Sequence, residues 1–211
     1  MKLLAIDTAT ETCGIALAEG EQLLADFRLN KKNIHNEKLV SGIQGLLQNV
    51  GWGLEDLAGI VFSKGPGSFT GLRIGLSVTK GLAYSVGIPM VGINTLDALA
   101  YGAPCWQGSV CAVIKARERE AYFAVYQKVR EGVNRTTDYA IAPLETVAEK
   151  LQDGLLVVSN PPDLLDEHLK KRFVVAAPEY SFLQPHMVAI LGYQKLKLGE
   201  TDDPESVEPF Y

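Results

Sequence analysis

Residues 58–83 read AGIVFSKGPGSFTGLRIGLSVTKGLA: an apolar run enters a Gly-Pro-Gly turn, and a long segment rich in small residues leaves it. This order predicts a strand, a glycine turn and a helix. Folds that handle phosphate groups use the same order, because glycine lets the backbone approach an anion and a helix N-terminus offers unpaired N–H groups. The turn lacks Gly-Lys-Ser/Thr, however, and the nearby Lys64 precedes the glycines. The stretch therefore cannot form a P-loop.

The helix predicted after the turn has an unusual composition. Glycines at positions 71, 75 and 81 interrupt an apolar series, although glycine is a poor helix former. Gly71 and Gly75 lie four residues apart on one face, which lets a second helix or a sheet come unusually close. Two explanations remain open at this point: tight packing within one domain, or an interface with another subunit.

Length and composition indicate an ordinary globular protein. The chain has 211 residues, 47% of them hydrophobic, which is enough for one large domain or two small ones. No apolar stretch has the length of a membrane span, and the N-terminus does not resemble a secretory signal, so we expect a cytoplasmic protein. Cys13, Cys105 and Cys111 form no Cys-x-x-Cys pair. We expect them to be buried thiols, without disulfides or zinc.

The negative charge is concentrated near the C-terminal end. The net charge is −5, and five of the 25 acidic residues lie in the last twelve positions, which hold no Lys or Arg. Elsewhere the remaining 20 acidic residues balance the 20 basic ones. Direct nucleic-acid binding normally needs a basic stripe, and the sequence offers only a mixed cluster at 115–120. We therefore expect that a partner would hold any RNA.

Hydrophobic periodicity predicts the remaining elements. In the first half we expect strands at 3–8, 12–18, 22–29, 59–63 and 90–93, and helices at 36–50, 70–85 and 95–101. After a break at 102–108, which contains glycine and proline, we expect strands at 110–116, 121–129, 155–159 and 173–176, and helices at 144–151, 163–171 and 182–198. This mixed α/β order predicts a first domain of residues 1–101 and a smaller second domain of residues 102–211. The last helix of the second domain can pack against the first domain.

Asp7 ends the first predicted strand and is followed by Thr8-Ala9-Thr10. Actin-like ATPases and sugar kinases place an acidic residue in a first β-hairpin loop in this way. The alternative is a local turn, since Asp and Thr favour strand ends for their own hydrogen bonding. The glycine turn favours the functional interpretation. We expect a nucleotide loop, functional or vestigial, that consists of Asp7, Thr8, Thr10, Gly65, Gly67, Ser68, Thr70 and Gly71.

Other catalytic constellations are missing from the sequence. His35, His168 and His186 lie far apart and show no metal-binding spacing, so we expect no histidine-based metal site. Ser68 lacks the second glycine of a Gly-x-Ser-x-Gly elbow, and no histidine has a neighbouring signature that identifies it as a base. The sequence thus predicts neither a metal ligand set nor a catalytic residue.

Residues 3–100 closely resemble a known family. The matching stretches are LLAIDTATETCGIAL at residues 3–17, His35 with Glu37 and Leu39, and GPGSFTGLRIGLSVTKGLAYSVGIPMVGINTLDALA at residues 65–100. These stretches are similar to those of the TsaB (YeaZ) proteins of bacterial tRNA threonylcarbamoyladenosine synthesis, relatives of the glycoprotease (M22) group. Beyond residue 100 the resemblance is weaker.

The resemblance implies an ASKHA (actin-like ATPase) fold: two ribonuclease-H-like subdomains with mixed sheets flanked by helices. It implies a non-catalytic partner and activator of the homologous TsaD, which transfers threonylcarbamoyl to adenosine 37 of tRNAs that read codons beginning with A. A TsaE-type ATPase joins the two. We accordingly expect no metal and no cofactor beyond weak ATP or ADP binding, mainly within the complex. We also expect tRNA contact only through the complex, no membrane association, and a homodimer when the chain is alone.

The resemblance and two helices together predict the interface. The helices at 36–50 and 70–85 carry more apolar and small surface than one subdomain needs. We expect the interface residues to be Leu39, Ile43, Leu46, Leu47, Leu72, Gly75, Val78 and Leu82. Two other functions stay open. An autonomous ATP-dependent phosphotransferase is supported by Asp7 and the glycine turn but opposed by the missing cation. A glycoprotease-like metallopeptidase is nearly excluded by the missing histidine pair.

Overall fold

The computed structural model describes residues 1–31, 34–130, 132–151 and 154–211, with the backbone alone at positions 36 and 168. Its contacts divide the chain into two units: residues 1–95 together with 183–211, and residues 96–182. Each unit has its own sheet. None of the helices in these ranges is both long and apolar enough to span a membrane.

A five-stranded mixed sheet forms the first unit. Its strands are β1 (Lys2–Asp7), β2 (Thr12–Glu19), β3 (Gln22–Asn30), β4 (Gly59–Gly65) and β5 (Met90–Asn94). The strand order is β3-β2-β1-β4-β5. The first three strands are antiparallel neighbours, and β4 and β5 run parallel to β1. This arrangement confirms the predicted order of three antiparallel strands followed by two crossovers.

Three helices cover the two faces of this sheet. They are α1 (His35–Val50), α2 (Phe69–Val86) and α6 (Pro185–Lys197). Side chains alternate across a strand, so Ile60 and Phe62 of β4 join the apolar core under α1 and α2. Val61, between them, points to the opposite face, where it lies against Gly192 of α6. The parallel strands are therefore buried on both faces.

The last helix packs on the first unit, as the sequence analysis allowed, so this unit comprises residues 1–95 together with 183–211. α6 begins with Pro185 at its first position, and its Val188 and Ala189 are fully buried. Gly192 lets the helix lie close to the sheet, because a Cβ there would collide with the Val61 side chain. The apolar face of α6 thus completes the first core.

The second unit repeats this strand topology. Its strands are β6 (Ser109–Lys115), β7 (Glu120–Val129), β8 (Gly132–Arg135), β9 (Ala140–Pro143), β10 (Leu156–Asn160) and β11 (Val174–Val175). The order is β11-β10-β6-β7-β8, and β9 also pairs with β7. β10 and β11 are parallel to β6, whereas β7 is antiparallel to it. β8 and β9 were not predicted, because each has only four residues and no alternating apolar pattern.

Short helices accompany the second sheet. They are α3 (Thr95–Tyr101), α4 (Leu144–Lys150) and α5 (Glu167–Arg172). α5 begins later than expected because Asp166 caps it, with its side chain accepting the Leu169 N–H at 2.9 Å. Cys13 and Cys111 are buried, as predicted, but Cys105 is exposed in the irregular segment between α3 and β6. Burial raises the pKa of the Cys13 thiol to about 11.

Candidate functional site

Asp7 lies fully buried at the end of β1. Its Oδ1 accepts the N–H of Ala9 at 3.1 Å. Burial raises the pKa of Asp7, and the neighbouring Ser63 hydroxyl, the Ala9 N–H and His35 oppose part of that rise. Neither Asp7 Oδ2 nor Ser63 Oγ completes a hydrogen bond of normal geometry with any described residue. Ionisation of the Asp7 carboxyl group is therefore costly in this buried environment.

The loop after Asp7 is tied to its own backbone. Thr10 Oγ1 accepts the N–H of Thr12 at 3.2 Å, and the Thr10 carbonyl lies 2.9 Å from His35 Nε2 at the start of α1. Because a carbonyl oxygen only accepts, His35 carries its hydrogen on Nε2. These contacts match the local-turn interpretation of Asp7-Thr8-Ala9-Thr10, which the sequence left open beside a phosphate site.

The glycines at positions 67 and 71 make room for this loop. A Cβ at Gly67 would collide with the Ala9 carbonyl oxygen, and a Cβ at Gly71 would collide with that of Thr8. The N–H of Ser68 also donates to the Ala9 carbonyl at 2.7 Å. Close approach of one backbone segment to another thus explains both glycines without a phosphate.

The C-terminal segment, residues 200–211, covers the other side of the turn; we call it the strap. The Phe210 carbonyl oxygen lies where a Cβ of Gly65 would stand, and Gly65 has a φ of +116°. The Phe210 N–H donates to the Lys64 carbonyl at 2.8 Å. Lys64 Nζ is ion-paired with Asp202 Oδ1 at 2.7 Å. The lysine nearest the glycines is therefore already neutralised by the strap.

Further contacts hold the strap along α2. Lys80 Nζ donates to the Val207 carbonyl at 3.1 Å. The Tyr211 ring packs on Phe69 with 4.8 Å between centroids, and its hydroxyl accepts a hydrogen bond from Arg73 Nε at 3.1 Å. The Arg73 guanidinium lies 4.1 Å from the centroid of the Phe69 ring. The acidic segment of the sequence is thus an ordered part of the first unit.

The glycine turn does not fit a phosphate site of the P-loop type. The N–H groups of Ser68 and Gly71 donate within the chain, the second to the Ser68 hydroxyl at 3.2 Å. Thr70, another expected loop residue, is exposed on α2. Among the described residues, no three His, Cys, Asp or Glu side chains are placed to hold a metal ion. The eight expected loop residues lie near one another, but most of them pack the loop, the turn and the strap together.

Most of the expected interface residues are buried within the first unit. Six of the eight are buried in the single chain: Leu39, Ile43, Leu46, Leu47, Leu72 and Gly75. A Cβ at Gly75 would collide with Thr8 Oγ1, so this glycine serves packing within the unit. Val78 and Leu82 are half-buried. The apolar periodicity therefore marks mainly the face that each helix turns to its own core, although Ile43, Leu47 and Leu82 also line a groove at the surface.

Other apolar residues of α1 and α2 lie at the surface beside three of the expected ones, Ile43, Leu47 and Leu82. A groove of about 330 Å³ lies between the helices and the 3-10 turn at Leu54–Asp56. It is lined by Val40, Ile43, Gln44, Leu47, Gln48, Trp52, Gly53, Leu54 and Leu82. Val40 is 58% exposed. Gly81, on the exposed side of α2, has nothing within 4 Å of the position of a Cβ. We call the groove and the exposed side of α2 the docking face.

Sequence reasoning missed Val40, Trp52 and Gly81 as surface residues. The signal for Gly81 was present, because it lies outside the four-residue spacing that joins Gly71 and Gly75. A helical glycine off the buried face has no packing reason within its own unit. No comparable signal existed for Val40, since an apolar residue next to a buried stripe is usually assigned to that stripe.

Comparison with known proteins gives consistent matches. A family model described as TsaD, tRNA N6-adenosine threonylcarbamoyltransferase, matches residues 22–181. The tRNA threonylcarbamoyladenosine biosynthesis protein TsaB of Bacillus subtilis (strain 168) is 35% identical over 219 residues, which cover 100% of this chain and 93% of the relative. TsaB of Escherichia coli (strain K12) is 38% identical over 156 residues, 72% of this chain and 67% of the relative.

Solved structures agree with these matches. YeaZ from Pseudomonas aeruginosa is 27% identical and superposes with a TM-score of 0.84 over 100% of this chain and 99% of its own. An ADPNP-bound activator of 2-hydroxyisocaproyl-CoA dehydratase from Clostridium difficile is 9% identical, with a TM-score of 0.53 over 100% of both chains. The second likeness concerns the fold alone. The architecture is the actin-like ATPase (ASKHA) fold, which confirms the fold expected from the sequence.

Proposed function

The chain belongs to the TsaB (YeaZ) family of tRNA threonylcarbamoyladenosine biosynthesis proteins, and on this premise we propose that it takes part in forming N6-threonylcarbamoyladenosine in tRNA. In this proposal it is a non-catalytic subunit that binds and activates the homologous transferase TsaD. The product lies at position 37 of tRNAs that read codons beginning with A. A TsaE-type ATPase joins the complex in the cytoplasm, and tRNA meets this chain only through the complex.

The observation that carries the partner role is the docking face. Glycine in a helix interior costs about 1 kcal/mol relative to alanine, and Gly81 lies in open space with no internal contact that offsets the cost. Beside it is an apolar groove with Val40 largely exposed. A helix of a second protein that packs across α2 at Gly81 would account for both features, because small residues let helix backbones approach closely.

The non-catalytic role is supported by the surroundings of the glycine turn. Phosphoryl transfer depends on fixed positive groups and N–H donors around the phosphates. Here Lys64 is paired with Asp202, and the Ser68 and Gly71 N–H groups already donate within the chain. These residues are poorly suited to hold and activate a triphosphate, so any ATP or ADP binding by the chain alone would be weak.

Exchange of Gly81 for leucine tests the partner role. Leucine is a better helix former than glycine and meets no atom of the chain, so Gly81→Leu should fold normally. It should nevertheless fail to co-purify with the TsaD homologue. In cells depleted of the native protein it should fail to restore threonylcarbamoyladenosine, measured by mass spectrometry of digested tRNA. Gly45→Leu is the matched control, because Gly45 also has open space around it but does not line the groove.

Two outcomes would contradict the proposal. Normal co-purification and normal modified adenosine with Gly81→Leu would show that the docking face is dispensable. The competing function, an autonomous ATP-dependent phosphotransferase, keeps one favourable observation, the buried Asp7 whose Oδ2 has no partner among the described residues. Steady ATP hydrolysis by the isolated chain with magnesium, lost in Asp7→Asn, would favour that function instead.

A further inference from the structure

An ordered aromatic cluster lies at the start of α2. Phe69 is 54% exposed and Tyr211 of the strap is 45% exposed, although their rings pack on each other. Arg73 contacts both, through the face of the Phe69 ring and the Tyr211 hydroxyl. Aromatic residues and arginine dominate the energetic centres of protein interfaces, and groups that are already held in place lose little entropy on binding. We call Phe69, Arg73 and Tyr211 the aromatic cluster.

The aromatic cluster and the docking face both include exposed residues of α2. Phe69, Arg73, Ser77 and Gly81 are all exposed, and because each step of four residues turns about 40° around the axis, Phe69 and Gly81 lie about 120° apart on this surface. From Phe69 to Leu82, at the edge of the groove, the helix advances about 20 Å at 1.5 Å per residue. A standard interface covers about 800 Å² per partner, a patch roughly 28 Å across. A patch of this size is long enough to include both Gly81 and the aromatic cluster.

The strap determines the charge beside the cluster. Asp203, Glu205 and Glu208 are exposed, and the last twelve residues contain no Lys or Arg. Phosphates of a nucleic acid would be repelled by these carboxylates. A second copy whose two-fold axis passed through the strap would place like charges opposite each other. A basic protein surface is the occupant that the charges favour.

We propose that the aromatic cluster and the acidic strap extend the docking face and bind a basic, partly apolar surface of the protein that packs on α1 and α2. This inference rests on the proposed function, because its partner is the same TsaD homologue. The aromatic cluster supplies the buried apolar centre of the contact. The exposed strap carboxylates at the edge of the contact orient the partner and raise the rate of association.

Titration of the purified TsaD homologue with the full chain tests the inference. Phe69→Ala and Tyr211→Ala should each weaken the Kd at least tenfold. Glu205→Lys combined with Glu208→Lys should weaken the Kd as well. We expect the native chain to lose affinity as salt rises from about 50 to 200 mM, and the double variant should not show this loss. Leu198→Ala is the control, because Leu198 is 76% exposed at the end of α6, on the opposite face of the sheet.

The variants separate this inference from the proposed function. If Gly81→Leu abolishes binding while the aromatic and charge variants bind like the native chain, the extension is overturned and the proposed function stands. If Gly81→Leu also binds normally, both fail. The salt dependence distinguishes contact from structural support, because the exposed side chains of Glu205 and Glu208 can be reversed in charge without disturbing the packing of the strap.

Discussion

Glycine serves two different purposes within the single helix α2. Gly71 faces inward, where a Cβ would collide with the Thr8 carbonyl oxygen, and Gly81 faces outward, where a Cβ would meet nothing within 4 Å. The sequence shows that these glycines are unusual but cannot tell their purposes apart. The atom that requires Gly71 belongs to a loop far away in the chain, and only the folded structure brings the two together.

This difference predicts opposite effects of alanine on stability. We expect Gly81→Ala to raise the free energy of unfolding by about 0.5–1 kcal/mol, because alanine is the better helix former. We expect Gly71→Ala to lower it by about 1–3 kcal/mol, because a backbone oxygen cannot move aside easily. Urea denaturation of both variants measures the two changes. A neutral Gly71→Ala would show that the Thr8 loop is not held against α2.

Asp7 should make stability depend on pH. A carboxyl whose pKa is higher in the folded than in the unfolded chain stabilises the fold below its ordinary pKa of 3.8, and this contribution is lost as pH rises through the folded value. Asp7→Asn keeps the acceptor for the Ala9 N–H and offers Ser63 a donor. The variant should therefore be more stable than the native chain at pH 8, and its advantage should shrink towards pH 4. Denaturant titrations across this range measure it, and a variant that is less stable at pH 8 would contradict the assignment.

At the scale of elements, the strap closes the edge of the first sheet. Asp202 connects the strap to two strands. Its carboxylate pairs with Lys64 near the end of β4 and accepts the Gly92 N–H of β5 at 2.7 Å. Its backbone N–H donates to the Met90 carbonyl at 2.9 Å. An exposed edge strand invites pairing with other chains, and the strap covers β5 instead.

Removal of the Asp202 carboxylate should loosen this closure. Asp202→Ala leaves a part-buried lysine and the Gly92 N–H without their acceptor, so we expect a loss of about 1–3 kcal/mol in the free energy of unfolding. Amide hydrogen exchange should accelerate at Gly92 and Phe210. Asp203→Ala, at the exposed neighbouring carboxylate, should leave both amides protected. Unchanged exchange in Asp202→Ala would mean that other contacts alone hold the strap.

The elements that the sequence predicted well are those whose apolar residues repeat. α1, α2 and the five strands of the first sheet were found within one or two residues at each end, because each buries a periodic face. The strap has no such period, since polar contacts between distant residues hold it, such as the Lys64–Asp202 pair 138 positions apart. The eight expected loop residues lie near one another, but the contacts that hold them join distant segments and could not be predicted from the sequence pattern.

At the scale of the whole molecule, the same strand topology occurs in both units, but the helices that accompany it differ in length. The order β3-β2-β1-β4-β5 in the first unit corresponds to β8-β7-β6-β10-β11 in the second. The helices at equivalent places have 16 and 18 residues in the first unit but seven and six in the second. No repeat is visible in the sequence, because topology depends on apolar pattern and not on residue identity. Long helices with an exposed face are thus particular to the first unit, which is where a partner would bind.

The same reasoning predicts how the isolated chain behaves. Without its partner, the apolar docking face would be covered most simply by a second copy, in a symmetric homodimer packed across Gly81. The native chain should therefore run as a dimer in light scattering at micromolar concentration, and Gly81→Leu should run as a monomer with an unchanged circular dichroism spectrum. Because one face must serve both partners, added TsaD homologue should convert the homodimer into a heterodimer. A complex in which the homodimer persists intact beside bound TsaD would place the two interfaces on different surfaces.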